Sequence, residues 1–394
     1  MVNWKSAIVL FIWMLGCVPV GAQNTHRDSV LTHARYLKSI YRTDEAIEEL
    51  AALVSPKGMD EGVMAELADC HFQSGAYDDA AGTYFMLSSF SPRNILYKIR
   101  LMQAYFRLKN YPQSILAGQA ALQLDSIPAV ISLVGDSFRQ LGQADSALCY
   151  YCKSLALKPM NEVVLSKAMG ILIDGENYKD AVSISDAFLA EDPDNPTIAP
   201  LKGLALYRGG DYESAAGVFQ RQEDIGNDTY PIHYYLGQSY WPTKVMYRAE
   251  KELLTAWQID STDVNLAYAI AAVKSECHYP FEEDVKPWLD KAMEMLEPDH
   301  VLMSRLHQQY GLGYYRMQAS WDKAIEHYKE AYRYNPKFTS ALSTVAYCYQ
   351  MKKEYKQAAE WYEKYLKVAR PGSKGYDFAK DNLQFVKAEL FMNE

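Results

Sequence analysis

The cysteines and histidines are the residues of this sequence that could bind a metal or act as nucleophiles. Cys149 and Cys152 have the C-x-x-C spacing, and Cys277 is followed directly by His278. A redox C-x-x-C needs a helix N-terminus after a strand to lower the thiol pKa, whereas this pair lies within a predicted helix. No second Cys or His pair stands near Cys277 in the sequence. We therefore expect packing and turn roles for these residues.

Motifs of common enzymes are also missing from the sequence. It contains no H-E-x-x-H zinc motif, no phosphate-binding G-x-x-x-x-G-K-[ST] loop and no G-x-S-x-G nucleophile turn. The eight histidines fall at unrelated positions of the predicted helices. The sequence thus predicts a protein that is not an enzyme and that has no cofactor and no metal site. An active site hidden in the irregular region at about 262–299 stays open as an alternative.

A regular spacing of small residues organises the predicted elements. Nine positions are separated by 33 or 34 residues, apart from one interval of 75 residues between Ala249 and Ala324. Each of these nine positions is preceded, twelve residues earlier, by a second marker position. This second position is Gly or Ala in six of the nine cases. Paired small residues are what two antiparallel helices need where their axes approach closely. The nine pairs are 34/46, 68/80, 102/114, 135/147, 169/181, 203/215, 237/249, 312/324 and 346/358.

The aromatic residues keep the same frame. Trp321 stands three residues before Ala324, Tyr328 follows four residues after it, and Pro336 ends the run. This period and these markers resemble the tetratricopeptide repeat (TPR), a 34-residue helix–turn–helix unit. In such arrays each repeat contacts only its neighbours, so a long chain needs no single core.

The resemblance implies an all-α fold, a right-handed α-solenoid of about ten TPR units with a C-terminal capping helix. We expect the solenoid to span residues 23–371 and to include a degenerate, enlarged repeat at about 262–299. Residues 372–394 then supply the capping helix, because a solenoid needs a terminal element to cover its last apolar face.

Residues 1–22 have the composition of a secretory signal peptide. Lys5 is the only charge, residues 7–15 are all apolar, and small residues precede Gln23. We expect cleavage before Gln23 and export to the periplasm of a bacterium with two membranes. An uncleaved anchor is one alternative. Another is lipidation of Cys17, whose context loosely resembles a bacterial lipobox; this would give an outer-membrane lipoprotein, the only membrane association that we expect.

The charge of the chain restricts its partners. The formal net charge is −9 and the isoelectric point is near 5.5, whereas proteins that bind nucleic acids are usually basic. We therefore expect no nucleic-acid partner, and the family resemblance implies a protein or an extended peptide segment instead.

The resemblance also implies which side chains line the concave groove of the solenoid. Four residues after the first small position, the side chains are aromatic, basic or neutral and never acidic. Aromatic and arginine side chains are enriched in binding hot spots. A packing role is the alternative, because an error of one residue turns the stripe by about 100°. The predicted partner-binding residues, with two arginines from the next position, are Phe72, Phe106, Arg107, Arg139, Tyr207, Arg208, Trp241 and Arg316.

The predicted function is a non-catalytic scaffold that holds a protein or peptide partner in its concave groove, in envelope assembly or secretion. A rigid groove lowers the ordering cost of binding. The alternative is a carbohydrate-binding accessory protein, whose groove aromatics would stack on sugar rings.

Overall fold

The structure is a computed structural model that describes residues 20–54, 59–295, 300–317 and 320–392. Within these ranges every regular element is helical, and no β-strand occurs. The described part contains 21 α-helices and one π-helical turn. The predicted all-α solenoid of helix pairs is confirmed. Residues 1–19 of the predicted signal peptide, which include Cys17, lie outside the described residues.

The chain forms two compact units, of which the first ends at Gly175. Consecutive helices of this unit pack against each other. They are α1 (Val20–Ser39), α2 (Thr43–Ala51), α3 (Glu61–Ser74), α4 (Tyr77–Phe90), α5 (Ile95–Arg107), α6 (Tyr111–Leu122), α7 (Pro128–Gln140), α8 (Ala144–Leu157) and α9 (Glu162–Asp174).

The second unit begins at Glu176. A π-helical turn, Phe281–Val285, stands between two of its helices. The helices are α10 (Tyr178–Glu191), α11 (Ile198–Arg208), α12 (Tyr212–Asp224), α13 (Tyr230–Tyr240), α14 (Met246–Ile259), α15 (Val264–Glu276), α16 (Lys286–Met295), α17 (His300–Arg316), α18 (Trp321–Tyr334), α19 (Ser340–Met351), α20 (Tyr355–Val368) and α21 (Lys374–Met392).

The small residues lie where the two helices of a pair cross. Ala68 and Ala80 are fully buried in one pair, and Ala346 and Ala358 are fully buried in another. At Gly135 on α7, an added Cβ would lie 2.8 Å from the ring of Tyr151 and 3.3 Å from the carbonyl oxygen of Ala147. The paired small positions predicted from the sequence are therefore points of close backbone approach.

One predicted crossing is displaced by one residue. In α17 the residue that faces Tyr328 is Gly311, whose added Cβ would lie 3.0 Å from the ring. Leu312, which the regular spacing selects, is only half-buried. Every residue after Gly311 on α17 is therefore shifted by one position relative to the sequence-based register. The extra residues of the enlarged repeat precede this helix, since the π-helical turn Phe281–Val285 leads into α16.

In nine helix pairs of the described residues, the turn between the two helices contains a residue in the left-handed region. A positive φ recurs at intervals of 33 or 34 residues up to His278, and again at Lys353. Three of these nine residues are glycines, for which the conformation is free; for the others it costs roughly 1–2 kcal/mol each. The residues are Tyr41, Gly75, Lys109, Gly142, Glu176, Gly210, Lys244, His278 and Lys353.

Helices also occupy the described parts of the irregular region and of the C-terminal segment. Helices α15 and α16 pack against each other, and α21 packs on α20 through the buried residues Ala379 and Val386. Among the described residues, no helix combines the length and apolar character that a membrane span requires.

We expect Gly135→Ala to lower the free energy of unfolding by roughly 1–2 kcal/mol, because overpacking against Tyr151 outweighs the gain in helix propensity. The matched control is Gly170→Ala in the neighbouring helix α9, where an added Cβ meets nothing within 4 Å. This control should gain up to about 1 kcal/mol. Urea unfolding of both variants measures the difference, and equal stabilisation of the two would contradict the crossing at Gly135.

Candidate binding surface

A cavity of about 290 Å³ opens on the first helices of the last pairs. Here "first helix" means the earlier helix of a pair, so that α17, α19 and the terminal helix α21 contribute to one face. Tyr328 of α18 forms part of the base and is buried. We call this the aromatic cavity; its lining residues are Leu312, Tyr315, Tyr328, Ser343, Thr344, Tyr347 and Phe378.

Three aromatic rings follow one another across this face. The ring centroids of Tyr315 and Tyr347 lie 6.0 Å apart, and those of Tyr347 and Phe378 lie 6.2 Å apart. Phe378 keeps 47% of its surface exposed. Because aromatic rings bury much apolar area at little entropic cost, this row can accept another apolar or aromatic group.

The aromatic cavity is electrically neutral. Its lining residues include no carboxylate and no basic side chain. Burial raises the pKa of Tyr315 and of Tyr328, so both phenols stay protonated at neutral pH. The hydroxyls of Ser343 and Thr344 donate to the carbonyl oxygen of Ser340, at 2.9 and 3.2 Å. A charged ligand group would therefore lose its hydration here without gaining a partner.

A second cavity, of about 200 Å³, lies between α15, the π-helical turn and α17. The guanidinium of Arg316 reaches its edge and donates to the carbonyl oxygen of Ser275 at 2.8 Å. On a neighbouring wall, the phenol of Tyr279 donates to Glu250 at 3.0 Å. Lys274 pairs with the same carboxylate at 2.7 Å. The side chains of Arg316, Tyr279 and Lys274 are thus engaged within the protein.

The predicted aromatic stripe lies at the turns between paired helices. Phe72 packs edge-on against Tyr77, which opens the next helix, with ring centroids 5.3 Å apart. Phe106 packs in the same way on Tyr111, and Tyr207 on Tyr212, each at 5.6 Å. These three rings are half-buried, so each one stabilises its turn and leaves part of its face to solvent.

The register shift in α17 changes which residue belongs to this stripe. Tyr315, and not Arg316, packs edge-on against the aromatic residue that opens the next helix, Trp321, at 5.6 Å. Tyr315 is therefore the structural equivalent of Phe72 and Phe106. Tyr315 was not among the residues predicted from the sequence. It precedes Trp321 by almost the same number of residues as Phe72 precedes Tyr77.

The other predicted groove residues differ in their surroundings. Arg107, Arg139 and Arg208 have exposed side chains. Trp241 is half-buried, and its indole N–H donates to Glu276 at 2.8 Å. Nothing in the described residues tests whether any of these side chains binds a partner, so the stripe stays a prediction.

Two carboxylates of the first unit, Glu66 and Asp136, accept hydrogen bonds from basic side chains of other helices. Glu66 is buried, and Arg35 and Lys38 both donate to it. Burial alone would raise the pKa of Glu66, but the hydrogen bonds from Arg35 and Lys38 lower it. Asp136 likewise accepts from Lys167 at 2.8 Å. Part of the basic charge on this face is therefore used between neighbouring repeats.

The cysteines and histidines named at the outset occupy ordinary packing and turn positions. Cys149 and Cys152 lie one turn apart on α8 and are exposed. His278 is the left-handed residue of the turn after α15, with φ 61°. The Cys277–His278 pair thus forms part of a recurring turn.

A pair of histidines that the sequence did not single out lies between α17 and α18. The Nδ1 atoms of His307 and His327 are 3.0 Å apart, so one donates to the other. His327 also stacks on Tyr310, with ring centroids 4.7 Å apart. Burial, with a further contribution from His307, lowers the pKa of His327 to about 4, and burial lowers that of His307 as well.

Comparison with known proteins identifies one matching family. A tetratricopeptide repeat family model matches residues 171–228 and 313–374. No curated protein matches the sequence.

Three solved structures illustrate the similarity of fold. A tetratricopeptide repeat protein from Parabacteroides merdae is 14% identical over 64% of this chain and 98% of its own, with a TM-score of 0.45. The C-terminal part of a TPR repeat-containing protein from Cytophaga hutchinsonii is 15% identical over 71% and 98%, with a TM-score of 0.38. YrrB, a TPR protein with an unusual peptide-binding site, is 16% identical over 50% and 97%, with a TM-score of 0.41. Likenesses of this size carry no information about what the present chain binds.

Acidification is expected to destabilise the pair α17–α18. In the folded chain the pKa of His327 is about 4, whereas the ordinary pKa of a histidine is about 6.5. The unfolded chain therefore takes up the proton first, and stability falls as the pH drops from about 6.5 towards about 4. In His327→Phe, which keeps a ring on Tyr310 but cannot titrate, thermal unfolding should depend less on pH in this window. The control is His26→Gln at an exposed position; an unchanged pH dependence in His327→Phe would contradict this assignment.

Proposed function

We propose that the chain is a non-catalytic scaffold for an extended segment of a partner protein, because a tetratricopeptide repeat family model matches residues 171–228 and 313–374. TPR domains generally serve as protein-interaction scaffolds. The segment would place an uncharged apolar or aromatic side chain in the aromatic cavity. The observation that carries the proposal is the row formed by Tyr315, Tyr347 and Phe378 around that cavity.

The size and chemistry of the aromatic cavity favour a side chain over a cofactor. Its volume of about 290 Å³ lies at the lower end of the roughly 300–1,000 Å³ typical of small-molecule sites. Its neutral lining would reject a charged group and accept an apolar one, which would bury its surface against Tyr347 and Leu312. A peptide segment can supply such a side chain and continue along the first-helix face.

The predicted stripe would add a second kind of contact. The exposed guanidinium groups of Arg107 and Arg139 could each hold a carboxylate of a partner through paired hydrogen bonds. The net charge of −9 supports a protein partner over a nucleic acid, because the phosphate backbone of a nucleic acid would be repelled.

One observation favours the carbohydrate alternative. The exposed ring of Phe378 lies beside Tyr347, and the hydroxyls of Ser343 and Thr344 line the same cavity. Rings beside hydroxyls are suited to stacking on a neutral sugar as well as on a side chain. Trp241, which also belongs to the predicted stripe, has its indole N–H engaged by Glu276.

For the location, we propose export to the periplasm, with a role in envelope assembly or secretion. The support is the apolar segment at residues 7–15, which follows Lys5 and precedes a small-residue cleavage position. Attachment to the outer membrane through a lipid on Cys17 is the alternative.

We expect Tyr347→Ala to weaken peptide binding by at least about tenfold, equal to about 1.4 kcal/mol, because the central ring of the row is lost. Peptides are first selected on the wild-type protein from a random displayed library, and their affinities are then measured by fluorescence anisotropy. The selected sequences should be rich in uncharged aromatic and aliphatic residues. Tyr347→Phe should bind like wild type, since the ring remains.

The matched control is Tyr247→Ala, which removes an 81% exposed tyrosine on α14 and should leave binding unchanged. Equal binding of the selected peptides by Tyr347→Ala would refute the aromatic cavity as the binding site. Exchange of Arg107, Arg139 and Arg208 for Glu tests the stripe separately, at low salt. A neutral glycan that binds the wild-type protein but not Tyr347→Ala would support the carbohydrate alternative.

The mature protein is expected to begin at Gln23, because signal peptidase cleaves after small residues. Intact-mass measurement of the protein purified from its envelope fraction checks this. A mature chain that begins at Cys17 and carries a lipid mass would establish the lipoprotein alternative and exclude cleavage at Gln23.

A further inference from the structure

Three successive helices of the second unit bring a histidine and two glutamates together. Glu223 comes from α12, His233 from α13 and Glu252 from α14. One ligand atom from each side chain lies within 4.8 Å of the others. His233 and Glu252 are each only 2% exposed. Ionisable groups buried to this extent need a partner of opposite charge or a metal ion.

The imidazole of His233 is held in one orientation. Its Nε2 is hydrogen-bonded to the carboxylate of Asp228, and its Nδ1 lies 2.7 Å from a carboxylate oxygen of Glu252. A histidine that donates one ring N–H to a carboxylate and turns the other nitrogen to a metal is the usual arrangement at metal centres. Asp228 is 75% exposed, so it stands on the solvent side of the cluster.

A cation already bridges the two glutamates. The ammonium nitrogen of Lys251 lies 2.8 Å from Glu252 Oε1 and 3.5 Å from Glu223 Oε1. The Lys251 side chain is 56% exposed, and its flexible four-carbon stem allows the ammonium group to move out into water. The space between the carboxylates therefore suits a positive charge that can be exchanged.

We infer that Glu223, His233 and Glu252 form a binding site for a divalent transition-metal ion, with Asp228 as the residue that positions His233. Binding places the metal on Nδ1 of His233 and on one carboxylate oxygen of each glutamate. The proton on Nδ1 goes to solvent, and the ammonium of Lys251 withdraws. Two positive charges leave the cluster and two enter with the ion, so its net charge is unchanged.

The donor set selects the class of metal. Magnesium and calcium prefer oxygen ligands throughout, whereas an imidazole nitrogen with carboxylates suits zinc and its neighbours. Zinc binds histidine nitrogen at about 2.0–2.1 Å and carboxylate oxygen at about 2.0–2.2 Å, with water able to fill an open position. Because the ligands lie on three consecutive helices, a bound ion would link α12, α13 and α14.

The test uses zinc alone, added to full-length protein that carries no polyhistidine tag and has been treated with chelator. Isothermal titration at pH 7.5 gives the affinity, and thermal unfolding reports stabilisation. We expect one zinc ion per chain and a raised unfolding temperature, since the ion binds the folded state. Lys251→Met should bind zinc at least about tenfold more tightly, because the competing ammonium is gone.

Loss of the positioning residue or of a ligand should weaken zinc binding. Asp228→Asn should weaken binding by roughly 10–100-fold, as is usual for residues that orient a ligand. His233→Gln should abolish it. The control removes the exposed thiols that could bind zinc elsewhere, as Cys149→Ser with Cys152→Ser, and should leave the affinity unchanged. The proposal would be overturned if zinc bound neither the wild-type protein nor Lys251→Met. It would also be overturned if His233→Gln bound zinc as tightly as the wild-type protein.

Discussion

The close approach of two helix backbones at a residue with little or no side chain is the constraint on which each helix pair depends. At Gly135, Gly203 and Gly311, an added Cβ would lie 2.7 to 3.0 Å from the ring of an aromatic residue on the partner helix. The ring fills the space that the missing side chain leaves. This fixes the rotation of the first helix in its pair, and so determines which of its side chains face outwards.

The same packing gives the first-helix face its structural roles. Phe72, Phe106 and Tyr207 support the turns that follow them, and Asp136 joins neighbouring helices through Lys167. In the last described helices the face differs. Phe378 of α21 stays 47% exposed beside Tyr347, and both rings line the aromatic cavity.

Identical residue types acquire opposite properties in different parts of the fold. The hydrogen bond with Glu252, together with Asp228, raises the pKa of His233 against the effect of burial. Among the described residues no carboxylate is hydrogen-bonded to the ring of His327, and burial lowers its pKa. Both histidines lie within regular helices, and nothing in their immediate sequence distinguishes them.

The sequence by itself predicted the resemblance to the tetratricopeptide repeat, the helical class and nearly every helix pair, because the 34-residue spacing of small and aromatic residues reflects contacts within one repeat. It also predicted helices in the irregular region at about 262–299 and in the C-terminal segment. The tertiary structure decided the rest. It moved the crossing in α17 from Leu312 to Gly311, and it brought Glu223, His233 and Glu252 together from three helices. Such groupings depend on how whole helices rotate and stack. A shift of one residue turns the outward face of a helix by about 100°, whereas the sequence pattern stays almost unchanged.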